Sequence, residues 1–330
     1  MRVRPFASFC MLFVLLTSAL LTAQTGSDLE LVMAQWEPDG ARVAMLVNGP
    51  DGREIWVLSR HGDLFKRPLK GTDTALVGWT PGGALVLDEG NGQVRLVVPE
   101  PGGAEAVIRL PEAAVPLAAN DQEAFYLSVD CRYLLSIDRE GQTRVIAELP
   151  VGMRPPASLS PDGRCLAMRR AQRTTSGWET EIWVVESGRG SEGGAPLPGR
   201  ARQVARVPAS YVSVSWHPSE PSLLLNYPVP GDRWDTVVVT LAARPQTTTR
   251  KGLNSPAQWD RSGRLYTADH TGVQSGGKTL QKWNGRLNLW AVSPDGDRVL
   301  ASWQTSTTRA PAFLLELSGP PRQPVNVLSP

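Results

Sequence analysis

Histidine and cysteine are scarce, with three of each among 330 residues. Histidine-based catalysis therefore has only His61, His217 and His270 to draw on. Net charge is nearly absent too. The chain holds 34 Lys+Arg against 32 Asp+Glu, and without Arg2 and Arg4 the count is 32 against 32. A formally neutral body has no electrostatic reason to seek nucleic acid or an anionic membrane, so neither is expected as a partner. Helical periodicity is missing as well: after residue 27 no stretch keeps a convincing helical apolar period, which excludes a substantial helix. What the chain has instead is 31 Gly and 28 Pro, the composition of frequent turns.

The first 23 residues stand apart. Arg2 and Arg4 precede an uncharged apolar stretch from Phe6 to Ala23, followed by polar Gln24-Thr25-Gly26-Ser27. A basic start, an apolar core and a small exit residue predict a secretory signal peptide over 1–23, with 24–330 as the mature domain. The alternative is an uncleaved N-terminal membrane anchor, because 18 apolar or small residues just reach across a bilayer. Either way the body is expected outside the cytoplasm: periplasmic, at the cell surface or secreted.

A short phrase recurs along the remainder. An apolar residue and one spacer are followed by Pro-Asp-Gly and a strand-like run, as in Trp36-Glu-Pro-Asp-Gly40, Trp79-Thr-Pro-Gly-Gly83, Leu159-Ser-Pro-Asp-Gly163 and Val292-Ser-Pro-Asp-Gly296. Worn copies are Ala118-Ala-Asn-Asp-Gln122, Trp216-His-Pro-Ser-Glu220 and Trp259-Asp-Arg-Ser-Gly263. The spacings are 43, 39, 41, 57, 43 and 33 residues. A period near forty with a turn in every copy is the signature of stacked four-stranded blades. Seven phrases predict an all-β fold: a single β-propeller of seven four-stranded blades, closed by the segment around Asp28–Val32 lying against the last blade.

The second copy shows the internal pattern. Strands are predicted at Thr74–Thr80, Ala84–Asp88, Val94–Val98 and Ala104–Leu110, separated by Pro-Gly-Gly, Asn-Gly and Pro-Gly-Gly turns. Glu54-Ile-Trp-Val-Leu58 and Glu181-Ile-Trp-Val-Val185 share the third-strand slot of blades one and four. The long fourth interval predicts two insertions, Arg173–Thr180 and the flexible loop Gly188–Ala201, and the short last one a trimmed sixth blade. Cys131 and Cys165 fall in turns at opposite ends of their strands, about five residues or roughly 17 Å apart. A disulfide needs Cα atoms within about 7 Å, so two free thiols are expected.

The Trp-x-Pro-Asp-Gly phrase with its Ile-Trp-Val strand resembles the WD-like repeat of TolB, found also in the propeller domains of prolyl-oligopeptidase-type peptidases. The likeness covers roughly Leu29 to Leu328. It implies the fold but no particular site, since these residues build turns and blade packing. The peptidases also need a Gly-x-Ser-x-Gly nucleophile elbow, and no such phrase occurs here. The chain therefore looks like a free-standing propeller, a monomer with no cofactor, that binds a protein or an envelope polymer.

Two tryptophans stand outside the repeated slots. Trp178, near Arg173, and Trp234, beside Arg233, are placed in the second-to-third-strand loops of blades four and five, and Arg309 lies in the matching loop of blade seven. Aromatic residues with arginine on neighbouring loops are the material of binding hot spots. Arg173, Trp178, Arg233, Trp234 and Arg309 are thus the candidate binding residues. The competing expectation is a metal-dependent enzyme of the lactonase or lyase kind, resting on Asp88, Asp130 and Asp269 near second-strand ends, with His270 beside the last.

Overall fold

The structure, a computed structural model, describes residues 29–69, 74–90, 92–112, 114–186, 199–282, 287–303, 312–317 and 325–326. Every phrase closes the first strand of a sheet. Blade one comprises Glu30–Trp36, Arg42–Gly49, Gly52–Ser59 and Leu64–Pro68, and blade two Ala75–Trp79, Leu85–Asp88, Gln93–Val97 and Glu105–Arg109. Blade three runs from Val115–Ala119 to Thr143–Glu148, blade four from Arg154–Leu159 to Arg202–Val207, and blade five from Ser213–Trp216 to Gln246–Leu253. Blade six, Gln258–Trp259 to Lys278–Lys282, is the trimmed one; blade seven, Leu287–Val292 to Val325–Asn326, completes the ring. Each blade has four antiparallel strands in chain order, as the repeat predicts, and blade three carries one further strand at its outer edge.

This order gives the molecule two ends. First-to-second and third-to-fourth turns lie at one, the phrase end. Second-to-third hairpins and the connections to the next blade lie at the other, the hairpin end. First strands of neighbouring blades pack on one another and are innermost. The core lies between blades rather than within one. Phe125 and Leu134 of blade three meet Leu166 and Met168 of blade four, and Ile182 and Val184 meet Leu223 and Val237 of blade five. A strand covered on both faces needs apolar residues at successive positions, which is why Ala-Phe-Tyr-Leu at 124–127 is buried throughout.

Two of the four first-slot tryptophans stitch blades together. The Trp79 Nε1–H donates to the Gln35 carbonyl of blade one at 3.0 Å, and Trp216 Nε1–H to the Ser158 carbonyl of blade four at 2.7 Å. In the third slot, Trp56 donates to Glu54 at 2.6 Å and Trp183 to Glu181 at 3.1 Å. Residues two apart on a strand share a face, so Glu-Ile-Trp supplies both partners.

Closure falls where expected, with the segment from Leu29 to Val32 against the last blade, although Glu30–Trp36 pairs with Arg42–Gly49 of its own blade. The ring shuts by packing, with Leu29, Leu31 and Trp36 against Ala291, Leu300 and Ala312. Two expectations need correction. The insertion at 173–180 is a hairpin rather than a loop. Cys165–Thr174 and Gly177–Glu186 pair to the tip, where Thr174 faces Gly177. Likewise Ser222–Val229 pairs with Arg233–Thr240 up to Val229 and Arg233. The surface loop is also shorter than expected at its far end. Residues 187–198 lie outside the described ones, but Gly199–Arg200 forms a short strand parallel to Thr143–Glu148, a fifth strand on blade three. Cys131 and Cys165 are free, as expected.

Candidate functional site

At the phrase end the spacer turns out to be the organising residue. Glu37, Thr80, Asn120, Ser160, His217, Asp260 and Ser293, one per blade, are all buried. Six cap their own turn: Thr80 accepts from the Ala84 amide at 3.1 Å, Ser160 from Cys165, His217 Nδ1 from Glu220, Asp260 from Arg264 and Ser293 from Arg298, each of these four at 2.9 Å. Asn120 accepts from Gln122 and Glu123, both at 2.9 Å. This shifts the third phrase by one residue: Asn120 is the spacer, and not the proline position. Glu37 accepts two bonds from the Arg42 guanidinium at 2.8 and 2.6 Å, whose Nη2–H also reaches the Gly83 carbonyl of blade two.

This end is therefore spent on structure. His217, a turn residue as expected, is 6% exposed and packs edge-on against Trp259, with ring centroids 4.7 Å apart. Its accepting Nδ1 leaves the proton on Nε2. His61 lies exposed in a third-to-fourth-strand turn.

The aspartates offered for a metal are likewise occupied with their own turns. Asp88 accepts from the Gly90 amide at 2.9 Å, and burial pushes its carboxyl above the ordinary value. Asp130 accepts from the Ser128 hydroxyl at 2.6 Å and the Arg132 amide at 3.1 Å, which hold it low. For Asp269 burial opposes ionisation, but bonds from the Thr271 hydroxyl and amide outweigh it and keep the carboxyl low. The exposed His270 stands beside it. Among the described residues no three His, Cys, Asp or Glu side chains gather closely enough to hold a metal ion.

The hairpin end differs. Both strands of the blade-four hairpin are 10 residues long. Its tip stands roughly 10 Å beyond Arg170 and Glu181, three residues further along at 3.3 Å each. Arg173 and Trp178 are cross-strand partners there, and both are exposed, Trp178 to 52%. Side-chain alternation puts them on the face that carries Thr180, whose hydroxyl donates to the Ala209 carbonyl in the approach to blade five. On the same face the Arg169 guanidinium donates to the Val212 carbonyl at 2.6 Å and lies 5.2 Å from the ring centroid of exposed Tyr211. Burial lowers the pKa of Arg169 from the ordinary guanidinium value. The opposite face of the hairpin is an ion-pair network. Buried Glu181 takes Arg170 at 2.8 Å and Arg206 at 2.9 Å, and Arg206 also reaches Glu179 at 3.4 Å.

Trp234 occupies the same position in blade five as Trp178 in blade four, two residues before a buried threonine. Thr236 donates to Asn226 at 2.6 Å, and Asn226 in turn bonds Ala257 in the approach to blade six. Each tryptophan therefore overhangs its own inter-blade seam, and the two do not share one. Trp234 is only partly exposed and pairs across to Pro228 and Leu253. Exposed Arg233 donates to the Asn254 side chain and to the Gly252 carbonyl. Arg309 falls outside the described residues. No periodic signal marks four other exposed apolar side chains at this end: Val129, Tyr133, Val151 and Tyr211. Each sits in a turn, a connection or the first strand position after one, where alternation says nothing about exposure.

No protein-family model matches the chain, and no curated protein matches it. Solved structures do. Hydrazine synthase of Kuenenia stuttgartiensis is 12% identical with a TM-score of 0.55, over 87% of this chain and 96% of that one. Prolyl oligopeptidase B from Galerina marginata is 12% identical with a TM-score of 0.56, over 90% of this chain and 49% of its own. Virginiamycin B lyase from Staphylococcus aureus is 13% identical with a TM-score of 0.53, over 84% and 93%. These likenesses define the class as β-propeller. They go no further than the fold, which is found in three proteins named for different activities.

Proposed function

We propose that this chain is an exported, non-catalytic binding module that takes up a protein or cell-envelope polymer on the hairpin end over blades four and five. One observation carries the reading: Trp178, 52% exposed opposite Arg173, is held out on the paired strands of a projecting hairpin rather than folded back into a seam. Rigid aromatic area beside a planar cation is what recognition uses, and a paired hairpin presents it with little conformational entropy to lose. Trp234 and Arg233 extend the surface to blade five. The basic and apolar start of the sequence supports export.

The test replaces both tryptophans by alanine. Native-envelope material captured by the immobilised protein should bind W178A/W234A more weakly by about 2 kcal/mol or more, with the thermal transition unchanged. Unchanged capture would put the binding face elsewhere, and an unfolded variant would make the tryptophans packing residues.

A further inference from the structure

Ten large apolar side chains are exposed among the described residues, and five of them, Val129, Tyr133, Val151, Trp178 and Tyr211, lie at the hairpin end of blades three to five. Two of the five are the most exposed of all, Val129 at 69% and Val151 at 73%. They are not loose ends. The connection holding Val151 is tied to the blade-three turn by Leu149 N–H donating to the Arg132 carbonyl at 2.7 Å. It is tied to the blade-four hairpin by Arg170 donating to the Val151 carbonyl at 3.4 Å. Tyr211 is backed by Arg169. Apolar side chains fixed at neighbouring, well-anchored positions and left in water mark an interaction surface.

Charge in this sector is lopsided. Most of its carboxylates are already engaged: Glu181 with Arg170 and Arg206, Glu179 with Arg206, and Asp130 by hydrogen bonds within its own turn, leaving exposed Glu148, across from Tyr133, as the exception. Exposed Arg154 and Arg173 make no ion pair or hydrogen bond with another described side chain. We infer that this sector, from Val129 to Tyr211, docks a protein segment that is both acidic and apolar. The inference rests on the binding-module reading above and narrows its partner to a protein. Sugar hydroxyls gain nothing from two bare valines, whereas leucine-like side chains bury against them, and carboxylates suit planar guanidinium groups.

The test uses random peptides displayed and selected on the purified full-length protein, then measured singly by fluorescence anisotropy. Enriched peptides should combine Asp or Glu with large aliphatic or aromatic residues. Their affinity should fall at least about tenfold in V129S/V151S and in R154Q/R173Q, the second loss shrinking at high salt. Both pairs are exposed, so melting temperatures should hold. Neutral or basic peptides, no enrichment, or full affinity in V129S/V151S would each overturn the inference. If W178A/W234A alone abolished binding, the binding-module reading would stand without the blade-three extension; if none of the three variants mattered, both would fall. Adsorption to phosphatidylglycerol vesicles that V129S/V151S abolishes would assign the surface to lipid and equally overturn a protein partner.

Discussion

His217 of blade five fills the space that a side chain at Gly263 of blade six would need: a Cβ there would come 1.8 Å from His217 Nε2, with the Gly263 backbone at φ +78°. The glycine that ends the phrase thus serves two demands, a left-handed turn and room for the preceding blade's cap. Gly263→Ala should cost more than about 3 kcal/mol, because clash adds to backbone strain. Gly102→Ala, at φ +73° with nothing within 4 Å, should cost only about 1 kcal/mol. In a His217→Ala background the Gly263→Ala penalty should drop toward that of Gly102→Ala. Denaturant titration of the double-mutant cycle measures the coupling, and additive costs would refute this account of the turn ring.

The same ring makes a prediction for alkaline pH. Tyr266 is fully buried and donates to Asp260 at 3.0 Å; burial, and then that carboxylate, push its pKa from 10.0 to about 12. A raised folded-state value means that the folded chain holds the proton longer than the unfolded one. The associated stability is complete below pH 10.0 and is lost as pH rises toward about 12. Tyr266→Phe should flatten that part of the stability profile relative to wild type. Parallel profiles would show that the tyrosine is not the group responsible.

Cys165 should be a poor nucleophile. Burial, with Asp162 and Glu186 adding to it, pushes its thiol up to about 11. At about pH 8 roughly one molecule in a thousand carries the thiolate. Alkylation by iodoacetamide followed by mass spectrometry should find Cys165 slow, with a rate that climbs steeply with pH. Rapid labelling near neutrality would contradict the burial assigned to it.

The first-slot tryptophans should differ in a readable way. Trp216 bonds the Ser158 carbonyl, whereas the buried Trp36 Nε1 has no partner. Trp216→Phe should therefore destabilise by about 1 kcal/mol more than Trp36→Phe, which removes an unsatisfied donor. Urea midpoints of the two variants decide it.

Much of the fold was legible because its turns repeat: the phrase, the Glu-Ile-Trp strand and the trimmed sixth blade all fall where spacing puts them. The spacer was not legible, because Glu, Thr, Asn, Ser, His and Asp look unrelated until their shared task of turn capping is seen. Closure against the last blade was legible, but not that it works by side-chain packing of Leu29 and Leu31 while Glu30–Trp36 pairs within its own blade. In the site, the sequence singled out Trp178 and Trp234 as residues off the repeat, yet they occupy one structural position in successive blades, two residues before Thr180 and Thr236. Their difference in exposure depends on the hairpin tip and on Pro228 and Leu253, which pattern does not encode. The exposed Val129, Val151 and Tyr211 lie in connections, where no period exists to read.

The hairpin end over blades four and five is the face proposed to meet the partner. A photo-reactive residue placed at Trp178 and, separately, at exposed Asp39 on the phrase end tests it in the native host. Irradiation should give a discrete adduct from position 178, reduced when Trp234 is also replaced by alanine, and none from position 39. An adduct from position 39 alone would contradict the account.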